Sequence, residues 1–125
     1  MNNQEFKELV RLGIDETIKQ GVPAYCTVNN NCMYITEDGL SCVVGNMMPE
    51  TIKNSLVGYE GGVKDIITGE LYAPKVAKEW VGLFTEDQIE ILSNLQEYHD
   101  AVNDIGNVPW LEYFTKKANE LYETL

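Results

Sequence analysis

Thr85-Glu86-Asp87-Gln88 constrains this chain more than any other four residues. It reads as a capping box, in which the threonine oxygen accepts from the fourth residue's amide and the glutamine side chain reaches back. Phe84 before the cap and Ile89 within the first turn have the spacing of a hydrophobic staple. Neither glycine nor proline follows until Gly106. The pattern predicts a helix from Thr85 to about Ile105, with Ile91, Leu95, Tyr98 and Val102 at the centre of its buried face. Pro109 then opens a last helix whose core stripe is Trp110, Leu111, Phe114, Ala118, Leu121, Tyr122 and Leu125. At the other end, Phe6, Leu9, Val10, Gly13, Ile14 and Ile18 recur at helical spacing. They predict a helix over 3–20, capped by Asn2 or Asn3 and closed by Gly21.

Between these helices lies a stretch of another kind, Cys32 to Gly45. Two β-branched arms flank Glu37-Asp38-Gly39, and this predicts a β-hairpin over about 32–44. A three-residue loop with Gly39 in the left-handed region pairs Thr36 with Leu40 and puts Cys32, Tyr34 and Cys42 on one face. A two-residue Asp38-Gly39 turn shifts the register and parts the two cysteines. The second arm has an alternative, a helix from Cys42 to Met48, against which Val43-Val44 argues. Shorter elements fill the remainder: a strand at Ala24 to Val28, a turn at Asn29-Asn30-Asn31, a short helix from Pro49 through Asn54, a strand from Val63 to Thr68 with a Thr68-Gly69 turn, and a helix from Pro74 to about Gly82. The expected fold is a mostly helical α+β domain, residues 1–125, with the hairpin packed against the C-terminal helices.

A chain of 125 residues can bury roughly two-thirds of its unfolded surface, enough for one core. Three cysteines without a CxxC pair do not make a disulfide framework and fit a reducing compartment. Glu5, Lys7, Glu8 and Arg11 interrupt any signal-peptide pattern, and no apolar run approaches the roughly 20 residues that span a bilayer. A cytoplasmic protein with no membrane partner is expected. The net charge of −11 repels nucleic acid and attracts cationic surfaces. Glu86, Glu90, Glu97, Asp100 and Asp104 lie on one face of the Thr85 helix, and no lysine or arginine occurs between Lys78 and Lys116. Over about 27 Å of helix a duplex would carry roughly 16 phosphates, so this strip is too sparse to mimic DNA. It suits a protein with a basic surface, or it is simply a solvated face.

Groups that carry chemistry are few. His99 is the only histidine, and Gln96 and Asn103 flank it on the same side of the helix. With Tyr34 from the hairpin they define a candidate pocket for a small signal molecule, for example a nucleotide derivative. The bland alternative is a satisfied boundary residue bonded to a loop carbonyl. Asp100 points away from His99 on the wheel. Cys32, Cys42 and His99 could supply zinc ligands, yet paired spacing and a clear fourth ligand are lacking, so no metal and no cofactor is expected. Phosphate-binding glycine loops are absent. A Cys- or His-dependent enzyme ranks last, because nothing in the sequence specifies a nucleophile or an oxyanion hole.

Cys32 and Tyr34, Gly39, Cys42, Val44 and Gly45, Pro49, Leu95 and Gln96, His99 and Asp100, and Trp110 and Phe114 together resemble a pattern found in small bacteriophage- and prophage-encoded proteins. Those proteins often carry a basic residue before the second cysteine, where this chain has Ser41. The resemblance implies a phage-type accessory protein in the cytoplasm of a bacterial host cell, and it brings no activity with it. With the charge, it leads to the expectation of a non-enzymatic protein that binds, and by binding inhibits, a host defence protein through its acidic surface. The alternatives are the small-molecule binder and the enzyme.

Overall fold

The computed structural model of the chain describes residues 1–26, 31–68, 73–103 and 105–125. Helices α1 (Asn3–Gln20), α2 (Glu50–Ser55), α3 (Val63–Thr68), α4 (Lys75–Val81), α5 (Glu86–Asp100) and α6 (Trp110–Glu123) carry most of these residues. Helix α1 packs on α6, α6 on α5, α5 on α3, α3 on α4 and α4 on α2. One buried cluster runs through all of these layers, with Val10, Ile14, Leu56, Ile66, Val81, Leu92, Leu95 and Phe114 fully enclosed. No helix among the described residues is long and apolar enough to cross a membrane.

Local signals set the helix ends. The Asn2 side chain accepts from the Glu5 amide, 2.8 Å, and Gly21 ends α1 in the left-handed conformation at φ 79°. At α5 both halves of the capping box form: the Gln88 amide donates to Thr85 Oγ1, 3.2 Å, and the Thr85 amide to Gln88 Oε1, 3.0 Å. Phe84 and Ile89 are both buried beside it. The α-helix ends at Asp100 and continues as a 3-10 turn, Ala101–Asn103, rather than running to Ile105.

The α+β fold with a hairpin over 32–44 does not form. Strand among the described residues is limited to β1 (Tyr25–Cys26), β2 (Asn31–Cys32) and an isolated Ile35–Ser41 bridge. The turn closes as a three-residue loop, with the Thr36 amide donating to the Leu40 carbonyl, 2.8 Å, and Gly39 at φ 83°. Beyond it the ladder stops. Ser41 gives its amide to Gln20 Oε1 and its carbonyl to Gln20 Nε2, both 3.0 Å. Cys42 then coils: its carbonyl accepts from Asn46, 2.8 Å, and a 3-10 turn follows at Gly45–Met47. The Gln20 side chain occupies the outer edge of Ser41, where a third strand would pair.

Val63 to Thr68 is also corrected, from strand to helix. Val63 and Ile66 are buried at helical spacing while Ile67 faces out. Two side chains serve amides at its start: Asp65 Oδ2 accepts from Gly62, 2.8 Å, and Gln96 Oε1 from Val63, 2.9 Å. The buried face of α5 is rotated from the expected one and comprises Gln88, Ile89, Leu92, Leu95 and His99. On α6, Phe114 and Ala118 are buried, but Leu111 is exposed. The Asn29–Asn30 part of the expected turn and Gly69 lie outside the described residues.

Close backbone approach joins α1 to the coiled arm. A Cβ on Gly13 would stand 2.6 Å from Met47 Cγ and 2.9 Å from the Val43 carbonyl, and one on Gly45 would press into the Tyr34 carbonyl. The first obstacle is partly a movable side chain, and the second is backbone. Gly45→Ala should therefore destabilise the fold by about 1–3 kcal/mol, the usual range for overpacking, and by more than Gly13→Ala does. Urea denaturation checks this. Unchanged stability for Gly45→Ala would contradict the tight approach.

Candidate functional site

Helix α5 presents His99 inward at its last turn, and α6 lays two aromatic rings against it. His99 is fully buried. The Trp110 and Phe114 rings stack at 5.3 Å and 11°, and the imidazole meets both edge-on, at 5.6 and 6.3 Å. The Trp110 indole N–H donates to the His99 carbonyl, 2.8 Å, which ties the start of α6 to the end of α5.

Both ring nitrogens are engaged. The Ala24 amide donates to Nε2, 3.1 Å. Nε2 must then offer a lone pair, so the ring proton sits on Nδ1 and is donated to Asp100 Oδ1, 2.8 Å. The wheel had turned Asp100 away from His99, but adjacent side chains on a helix can bend toward each other through their rotamers. An Asp–His pair resembles a catalytic dyad, yet the nitrogen that would act as base already holds a buried backbone amide. The half-exposed rim position expected for His99 is corrected to a full core position.

Tyr34 and Gln96 do come together, as the pocket reading expected. Gln96 Nε2 donates to the Tyr34 hydroxyl, 2.9 Å, and Gln96 Oε1 accepts from Val63, 2.9 Å. Tyr34 is buried, and its ring lies 6.2 Å from that of Tyr59. The Tyr59 hydroxyl is buried without a hydrogen-bond partner among the described residues, and Gly61 packs directly against it. Burial first, and Cys42 second, raise the Tyr34 phenol well above its ordinary pKa of 10.0. Gln96 thus bonds both the Tyr34 hydroxyl and the Val63 backbone. A groove lies elsewhere, beside Phe6, Gln88, Ile91 and Leu125 at the start of α5. The Asn103 side chain lies outside the described residues.

Cys42 is buried, and the Gly45 amide donates to its sulfur, 3.2 Å. Burial pushes the thiol from 9.0 up to about 12, against the lowering effect of the Gly45 amide. A thiol this hard to ionise is a poor nucleophile and a poor zinc ligand. His99 has no free lone pair to add, and the Cys32 side chain lies outside the described residues. No cluster of metal-ligating side chains occurs among those described.

The acidic strip divides. Glu86 and Glu97 are exposed with no cation paired to them among the described residues. Glu90 is paired with Lys64 of α3, 2.6 Å. Asp100 is half exposed, with one oxygen committed to His99. Asp104 lies outside the described residues. Sequence reasoning missed Gln20 and Ala24, because their partners are 21 and 75 residues away along the chain. Comparison with protein-family models, curated protein sequences and solved structures finds no match.

The buried acids predict an alkaline transition. A folded-state pKa above the unfolded value means that the stabilisation is complete below the unfolded pKa and is lost as pH rises through the folded one. For Cys42 the window runs from pH 9.0 to about 12, and Tyr34 adds to it above 10.0. Melting temperature should fall steadily above pH 9. Cys42→Ala should start from a lower value and fall less steeply between pH 9 and 10. Parallel curves for the two proteins would contradict the buried neutral thiol.

Proposed function

We propose that this chain is a non-enzymatic accessory protein of phage type, working in a bacterial cytoplasm, which binds a basic surface of a host protein through the outer face of α5. One observation carries the reading. The internal groups able to do chemistry, His99, Tyr34, Gln96 and Cys42, are bonded inward, whereas Glu86 and Glu97 stand exposed without a paired cation among the described residues. A net charge of −11 adds a long-range attraction for cationic partners. The resemblance to phage-encoded proteins supports a host target, such as a defence component. A small molecule lodged between Tyr34 and His99 would have to break the bonds described above, which makes that reading the weaker one. A Cys- or His-dependent reaction is weaker still.

A single exposed ion pair contributes about 0–1 kcal/mol, so the strip must act through several charges. Glu90 and Asp100 already have partners, which makes Glu86 and Glu97 the sites to reverse. Glu86→Lys with Glu97→Lys should leave the melting temperature nearly unchanged. The double variant should also lose bacterial proteins that the parent retains at about 0.15 M salt. The same proteins should elute from the parent as salt rises, because exposed charges are screened beyond about 8 Å at that ionic strength. Retention of the same proteins by both chains, at low and high salt alike, would overturn the acidic-surface reading.

A further inference from the structure

His99 joins a removable proton to a buried backbone amide. In the folded chain Nδ1–H is donated to Asp100 and the Nε2 lone pair holds the Ala24 amide. Ala24 is completely buried, and its carbonyl accepts from the Met33 amide, 2.8 Å. The antiparallel pairs Tyr25–Cys32 and Cys26–Asn31 follow directly. Ala24 is thus the root of the small β-ribbon, and Nε2 anchors it to α5.

A second proton can enter the ring only at Nε2. That nitrogen then becomes a donor facing the donor N–H of Ala24, and the bond cannot survive. The ionised ring keeps its Asp100 contact, which stabilises the charge, while Ala24 is left buried without a partner. Among the described residues, α6 brings the uncharged rings of Trp110 and Phe114 to the imidazole. The segment from Tyr34 to Cys42 brings the Tyr34 phenol and the Cys42 thiol into the field of Asp100, and burial keeps both protonated. Among the described residues, Asp100 is the anion paired with the ring.

We propose that His99 is a proton-gated latch, and that protonation at Nε2 detaches the Ala24 amide from α5 and loosens the backbone bond between Ala24 and Met33. Histidine is the side chain that ordinarily changes charge between about pH 5 and 8, which sets the range over which the latch is tested. Glu86 and Glu97, the charges proposed to meet a partner, are not part of the device, and the latch stands or falls independently of the binding reading.

Amide-resolved hydrogen exchange on the intact chain, corrected for intrinsic rates, provides the test. From pH 8 to pH 5 the protection of the Ala24 and Met33 amides should fall by about tenfold, equivalent to ~1.4 kcal/mol. Leu92 and Leu95 should hold theirs. Asp100→Asn removes the anion and should move the transition to lower pH. His99→Gln can accept from Ala24 but cannot gain a proton, so its Ala24 protection should not depend on pH. If that variant fails to fold, nitrogen-15 shifts of the parent imidazole decide: Nε2 must gain its proton over the same range in which Ala24 loses protection. Constant Ala24 protection, a loss shared with Leu92 and Leu95, the same fall in His99→Gln, or ring protonation separate from Ala24 release would each overturn the latch.

Discussion

Buried backbone must find hydrogen-bond partners, and much of this structure follows from how one irregular stretch finds them. Residues 33–34, 41–45 and 47–48 are buried, yet they form neither a helix of any length nor a sheet. Helix side chains supply much of what is missing. Gln20 brackets Ser41 with a donor and an acceptor, which is the pattern of a neighbouring strand. His99 holds Ala24, and Gln96 holds Val63. Thr17 Oγ1 accepts from Asn46 while donating to the Gly13 carbonyl. Each bond adds about 1 kcal/mol net, but a buried amide left alone costs about 1–3. The penalty for losing them exceeds the gain from making them, and so these side chains select one arrangement.

The same constraint shapes what the protein can do. A histidine beside a carboxylate, a glutamine beside a tyrosine hydroxyl and a cysteine beside a glycine amide would look like parts of a site if each had a free valence. Each has been spent on structure. The surface is different in kind, because its carboxylates were never needed for packing. Lys64 neutralises Glu90 and His99 engages Asp100, which leaves Glu86 and Glu97 to face outward.

What could be read from the sequence was what is local. The Asn2 cap, the Thr85–Gln88 box, Gly21 and the Thr36–Leu40 turn each depend on residues a few positions apart, and they stand where the residue types place them. The hairpin ends after the Ile35–Ser41 bridge because Cys42 coils, its carbonyl accepting from Asn46 ahead of the Gly45–Met47 turn. Val63 to Thr68 looked like a strand from its branched side chains, and a distant amide from Gln96 helps to start it as a helix. The buried face of α5 was misplaced because a helical wheel sends polar residues outward, whereas Gln88 and His99 are buried with their bonds made. Tyr34 and Gln96 were expected together and are bonded, although to each other and to backbone.

The account rests on side chains of helices acting as the partners of a buried, irregular backbone. Native-state hydrogen exchange near neutral pH tests it most directly, by comparing the amides of Ala24, Ser41 and Val63 with those of Leu92 and Leu95. If Nε2 of His99, Oε1 of Gln20 and Oε1 of Gln96 hold them as described, these three amides should exchange only through global unfolding, as slowly as the helix core. Exchange of those three at the rate of exposed loop amides, with Leu92 and Leu95 still protected, would contradict it.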